Sequence, residues 1–334
     1  MMTDNATYIM GLGVSDPKRV FGTTVDLEEI FGRVRVFETP TSENAMTGVA
    51  VGLCLAGNRV ISIHQRLDFF LLAMDQLVNS AAKWNYMFGD QTPINLTIRL
   101  IVGRGWGQGP THSQNLQSWF SHIPGLKVVA LSRGIDVYGI LRAAIDEPSP
   151  VIVIEDRWVH QQNVLISDYK SPVELGKAVV IRQGIDITLV TYGYFVIESI
   201  AACKILSKLG IDVELIDLRT IKPIDLEAII LSVSKTNKLA VAEATNGISS
   251  IGTDIISKVV GRSIDLLTSS PLHIAYPDSP EPTSHGVIGN FIPGALQIAQ
   301  SIANKFEKSL TISQIQELTP SHFDTPNPDF KGPF

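Results

Sequence analysis

The sequence predicts an α/β fold of two domains with mainly parallel sheets. Three observations lead there. Short β-branched runs alternate with helical segments along most of the chain. A polar, proline-bearing stretch interrupts that rhythm, and the 334 residues match about two domains at the usual ~100–200 residues each. Strand–helix alternation implies crossover helices between parallel strands. Reactive groups in such sheets gather on loops beyond the strand C-terminal ends.

In chain order, the strands of the first unit are Tyr8–Gly11, Val34–Phe37, Val60–Ile63, Ile94–Val102, Val128–Ala130 and Val151–Ile154. Helical patterns cover Asn44–Ala56, Phe69–Met87, Gln114–Phe120 and Asp136–Ile145. The resulting division is 1–166 as one α/β domain, 167–177 as a linker, 178–310 as a second α/β domain and 311–334 as a tail rich in proline. The second unit repeats the alternation with strands at Asp186–Val190, Val213–Ile216 and Leu239–Ala242. Its helices are expected over Glu198–Leu209, Asp225–Val233, Ser250–Val260 and Gly294–Phe306.

Composition excludes several classes. With 45% apolar residues the chain is globular. A net charge of −6, from 33 acidic and 27 basic side chains, with no long Lys/Arg cluster, argues against nucleic acid as a partner. There is no run of about 18 apolar residues that would cross a membrane, and the start lacks a secretory signal pattern. Cys54 and Cys203 are far apart in apolar surroundings, so they read as small buried hydrophobes of a cytoplasmic protein.

Two segments carry chemistry. Thr39-Pro40-Thr41-Ser42-Glu43 links a strand to a helix, with Thr41 or Ser42 as N-cap and Glu43 in the first turn. There Glu43 either complements the helix dipole or belongs to a site. Gly48, Gly52 and Ala56 lie on one face of that helix, which suits close approach of another element, from the same chain or a second subunit. The loop Gly103–Gln114 carries glycines at 103, 105, 107 and 109, which permit close backbone approach to a ligand. It is neither a P-loop nor a dinucleotide fingerprint. His112 at its end is an acid–base group or a helix cap.

Taken together, four blocks resemble the β subunit of the thiamine-diphosphate-dependent decarboxylase component of 2-oxo acid dehydrogenase complexes, of the pyruvate and branched-chain types. They are Thr39–Glu43; Ala73–Lys83; His112-Ser113-Gln114 with Pro124–Val129; and Asp217–Asp225. The resemblance runs from about Tyr8 to about Lys305. It implies a transketolase-like pyrimidine-binding domain followed by a transketolase C-terminal-like domain. It also implies that Glu43 contacts the cofactor's aminopyrimidine ring and favours its imino tautomer, that Phe69 stacks on that ring (or is a plain core aromatic), and that His112 lines the reaction cavity. A potassium ion is implied on main-chain carbonyls of Leu96, Ala144, Ile145 and Glu147, although Glu147 and Ser149 stand where relatives carry Asp and Asn. Arg99, basic in relatives too, reads as half of an ordinary ion pair.

The magnesium motif of such enzymes, Gly-Asp-Gly followed by Asn roughly 25–30 residues later, supplies the hard oxygen ligands Mg2+ needs. Gly89-Asp90-Gln91 is the nearest match and lacks the sequel. The resemblance therefore implies an α-type partner carrying the diphosphate and Mg2+ half, in an α2β2 assembly. Departures from the pattern lie at Leu12-Gly13, where relatives are acidic, and at Ile63-His64-Gln65-Arg66, which puts His64 and Arg66 near the cofactor entrance as candidates for the substrate cavity, with His64 either a site residue or a surface neighbour. They leave the acceptor open between lipoyl-lysine on an acyltransferase and a small molecule. The expected activity is decarboxylation of a 2-oxo acid with transfer of the acyl or hydroxyalkyl group. The alternatives are a split-chain acyloin-forming or transketolase-like C–C ligase, and a non-catalytic scaffold.

Overall fold

The structure, a computed structural model, describes residues 1–160, 162, 173–320 and 322–324. Of the expected linker, 167–172 lie outside the described residues. The strands are β1 (Thr7–Gly11), β2 (Val36–Glu38), β3 (Arg59–His64), β4 (Leu96–Val102), β5 (Lys127–Leu131), β6 (Val151–Asp156), β7 (Val179–Arg182), β8 (Ile187–Thr191), β9 (Val213–Asp217), β10 (Thr220–Lys222), β11 (Leu239–Asn246) and β12 (Leu272–Tyr276). The helices are α1 (Leu27–Phe31), α2 (Glu43–Leu55), α3 (Leu67–Phe70), α4 (Ala82–Phe88), α5 (Gln117–His122), α6 (Gly134–Asp146), α7 (Phe195–Lys208), α8 (Leu226–Thr236), α9 (Ile251–Ser263), α10 (His285–Phe291), α11 (Ala295–Lys305) and α12 (Ile312–Leu318).

Two sheets result, in the orders β10-β5-β6-β4-β3-β1-β2 and β12-β11-β8-β9-β7. All pairings are parallel except β10 with β5 and β7 with β9, as the alternation predicts for crossover units. Strand β4 is buried along its whole length, the mark of a central strand covered on both faces. It tolerates Arg99 because Glu155 of β6 takes the guanidinium through two hydrogen bonds of 2.5 and 2.7 Å. Arg99 is thus the ion-pair residue its sequence context suggested.

The two sheets are not independent. β10 leaves the second unit and docks antiparallel on β5, which covers an otherwise open edge. One apolar cluster runs through both units, joining Leu100, Phe120 and Val128 to Ile216, Ile221 and Ile255. Cys54 and Cys203 are free, and burial pushes both thiols up to about 12. No helix among the described residues is long and apolar enough to cross a membrane.

The single helix expected over Phe69–Met87 is broken. α3 gives way to a 3-10 turn at Leu71–Ala73, then a π-helical turn at Gln76–Ala81, then α4. Periodicity could not show this, because the apolar face is kept while the hydrogen-bond register changes. Part of the expected tail is ordered as α12, and Phe323 packs on the second core beside Gly289.

Gly125, between α5 and β5, has φ +90°, and a Cβ there would lie 1.7 Å from the carbonyl oxygen of Ala82. Gly125→Ala is therefore expected to cost on the order of 3 kcal/mol. The check is the urea unfolding midpoint, which should fall while the slope stays unchanged.

Candidate cofactor site

From β1 the chain passes to β2 on one side and returns to β3 on the other. The loops leaving these strands diverge and open a crevice at their C-terminal ends, the usual place for a ligand in such sheets. A cavity of about 380 Å³ lies there, walled by Leu12, Gly13, Glu38, Glu43, His64 and Phe69 among others. A second, of about 320 Å³, shares Asp16, Gln65, Arg66 and Phe69 with it and reaches Gln108 and His112. The two form one cleft.

Glu43 is the first residue of α2 and only 5% exposed. Among the described residues its carboxyl has no hydrogen-bond or ion-pair partner. Ser42 occupies the N-cap position without a side-chain hydrogen bond, so the expected cap by Thr41 or Ser42 is not formed. The first amides of α2 therefore stay free beside the cleft. Phe69 is 43% exposed, far from a core aromatic, and meets the His112 ring edge to face at 5.2 Å. The His112 Nδ1 lies 3.0 Å from the Thr111 hydroxyl. Because α5 begins only at Gln117, His112 is no helix cap.

His64 ends β3 and is buried, with its ring against Phe70 at 4.7 Å and Nε2 3.3 Å from the Ser62 hydroxyl. Burial holds its imidazole down at about 4, and its Nδ1 lacks a partner. At neutral pH it is an uncharged wall of the cleft. Arg66 donates to the Gly103 carbonyl at 3.0 Å and to the Gln108 side chain. Its charge is thus occupied in holding the glycine-rich loop.

That loop is fixed from more than one side. All four of its alternating glycines have positive φ, between +63° and +126°, which L side chains adopt at a cost. At its exit, Asp68 accepts from the Gln114 amide and side chain at 3.1 and 3.0 Å. Across the cleft, Glu38 accepts from the amides of Gly13 and Ser15 at 2.6 and 2.9 Å. This fixes the Leu12-Gly13 segment after β1.

Comparison with known proteins identifies the family of both domains. The transketolase pyrimidine binding domain family matches residues 4–160, and the transketolase C-terminal domain family matches 176–298. The pyruvate dehydrogenase E1 component subunit beta of Rhizobium meliloti is 36% identical over 305 residues. The alignment takes in 90% of this chain and 66% of that relative, just under two thirds of its length. The acetoin:2,6-dichlorophenolindophenol oxidoreductase subunit beta of Cupriavidus necator is also 36% identical, with 84% of this chain and 82% of that relative covered. The chain belongs to the β-subunit family of 2-oxo acid dehydrogenase E1 components. Among solved structures, a split gene transketolase described as an inactive beta4 tetramer shares the fold at TM-score 0.73 and 18% identity, covering 91% of this chain and 92% of its own.

Of the four carbonyls named for potassium, those of Ala144 and Glu147 accept from the Thr97 hydroxyl at 3.1 Å and the Asn95 amide at 3.0 Å. The Lys127 ammonium sits 2.6 Å from the Glu147 carboxylate. Glu38, Asp68 and Gln108 were missed by sequence reasoning. Asp68 alone had a signal, as an acid immediately before the helix expected from Phe69.

His64 generates a pH prediction. Its pKa in the folded chain, about 4, lies below the ordinary 6.5, so as pH falls through that window the unfolded chain takes up a proton that the folded chain refuses. The stability associated with neutral His64 is complete above about 6.5 and lost toward 4. Relative to wild type, His64→Phe is therefore expected to gain up to about 3 kcal/mol between pH 6.5 and 4. Urea unfolding at both ends of that range measures it, and a constant difference refutes the neutral burial.

Proposed function

We propose that this chain is the β-type subunit of a two-chain thiamine-diphosphate-dependent enzyme that decarboxylates a 2-oxo acid and transfers the acyl or hydroxyalkyl group. In this reading it supplies the aminopyrimidine half of the cofactor site. One observation carries the reading: Glu43, buried on the cleft wall, has no partner among the described residues. Its carboxyl is left for whatever occupies the cleft, and a ring nitrogen is a partner of the right chemistry. The names of the relatives, pyruvate dehydrogenase E1 and acetoin oxidoreductase β subunits, support the same reading.

When bound, thiamine diphosphate would supply a carbon nucleophile and an electron sink for decarboxylation. The residues of this chain prepare that carbon. Glu43 would hydrogen-bond a pyrimidine ring nitrogen and so favour the imino tautomer of the ring. Phe69 offers a flat apolar face to the ring and excludes water. His112, held edge-on to Phe69 and hydrogen-bonded to Thr111, faces the reacting end, where it steadies the substrate carboxylate or moves a proton. His64 stays neutral and shapes the wall, while Arg66 holds the loop.

No group of three or more His, Cys, Asp or Glu side chains among the described residues makes a metal site. Because the sequence lacks the Gly-Asp-Gly motif, we assign Mg2+ and the diphosphate to an α-type partner in an α2β2 assembly, in the cytoplasm. The acceptor is lipoyl-lysine of an acyltransferase or a small acceptor. The acetoin-oxidoreductase relatives keep an acyloin-forming or acyloin-cleaving variant as the second reading. Product analysis with and without a lipoyl domain separates the two.

Glu43→Gln keeps the shape but removes the transferable proton. With the α-type partner present, turnover is expected to fall at least about 100-fold while the complex elutes unchanged in size-exclusion chromatography. Wild-type turnover in that variant refutes the assignment of Glu43.

A further inference from the structure

The glycine-rich loop is also gripped from the rear, by residues more than 200 positions away. Asp324, 7% exposed, accepts from two successive loop amides. Its backbone carbonyl takes the Trp106 N–H at 2.9 Å, and its side chain takes the Gly107 N–H at 2.6 Å. The Phe323 carbonyl accepts from the Arg104 guanidinium, which lies flat on Trp158 at 4.1 Å. Arg157, fully buried, stacks on Trp106 at 4.2 Å and donates to the carbonyls of Arg104 and Gly105 at 3.2 and 3.4 Å. The fit is close: a Cβ on Gly105 would lie 2.8 Å from the Asp324 carbonyl oxygen.

We propose that Asp324 is a positioning residue, which clasps the loop at Trp106 and Gly107 so that Gln108 and His112 stand at the cleft. The chain direction makes the connection short. Gln108, which fixes Arg66, directly follows the clasped amide, and His112 is four residues further on. Two bonded amides in succession define the loop's path, where a Gly-Trp-Gly-Gln-Gly run left alone has wide conformational freedom. A side-chain carboxylate on a backbone N–H is among the stronger hydrogen bonds. The catalytic consequence rests on the proposed reading of the cleft, whereas the holding of the loop does not.

Hydrogen–deuterium exchange on the full chain alone tests the clasp. Asp324→Ala is expected to speed exchange of peptides covering 104–109 at least about tenfold, with β4 and β6 unchanged. Asp324→Asn, whose amide oxygen still accepts from Gly107, is expected to stay near wild type. Unchanged loop exchange in Asp324→Ala, or a loss spread equally over β4 and β6, overturns the clasp. If Asp324→Ala does not fold, a chain ending at Pro320 is read by the same criteria. In the complex with the α-type partner, Asp324→Ala is expected to lower kcat at least about tenfold with KM little changed, and Asp324→Asn to restore it to within about threefold. Wild-type kcat with a loosened loop overturns the positioning role. Absence of 2-oxo acid turnover in the wild-type complex instead counts against the reading of the cleft and leaves the exchange result to decide the clasp.

Discussion

Removing a carboxyl from water is worthwhile only if something else meets it. Glu43 sits at the start of α2, where the free amides of the first turn and the helix dipole offset part of the cost. They do not replace a hydrogen-bond partner. Everything around it preserves that condition. The β1, β2 and β3 loops diverge there because of the strand order, Glu38 fixes the loop after β1, and neutral His64 closes the wall without bringing a compensating charge. Under the proposed reading, a cationic neighbour would have satisfied Glu43 within the chain, and the lack of one among the described residues leaves the carboxyl for the ligand.

How much of this was legible in the sequence depends on the range of the interaction. The alternation of strands and helices is local, so the parallel sheets and most element positions could be read from periodicity. Thr39–Glu43 was legible because a strand end, a proline and a helix start sit within a few residues. The break in the Phe69–Met87 helix was not, since a π-helical turn keeps helical composition. Nor was β10, whose three residues carry no strand signal and pair only because β5 has a free edge. The missing cap at Ser42 shows the limit of local rules: the residue type was right, and the geometry served the cleft instead.

The glycine-rich loop makes the same point more strongly. Its glycines announced a flexible, site-like segment, yet its actual order is imposed from outside. Arg66 comes from the turn after β3, Asp68 from α3, Arg157 from just past β6, and Asp324 from beyond α12. Glycine gives the loop permission to adopt left-handed backbone; the distant partners decide which conformation is kept. Such partners leave no spacing signature, because a 217-residue separation has no period.

The surface beside the cleft bears on why this chain does not work alone under the proposed reading. Phe69 is half-exposed, and Val49 and Leu72 present 54% and 69% of their surface to solvent close to Glu43 and Phe69 in sequence. On α2, Gly48 faces the Gln76 side chain, whereas a Cβ on Gly52 would meet nothing within 4 Å. A helix that gives up about 1 kcal/mol for an interior glycine without an internal neighbour to fill the space gains that back only against something external. Under the proposed reading, an unpartnered acid, an uncovered aromatic and an open glycine are each met by a second polypeptide that brings the other half of the ligand's contacts.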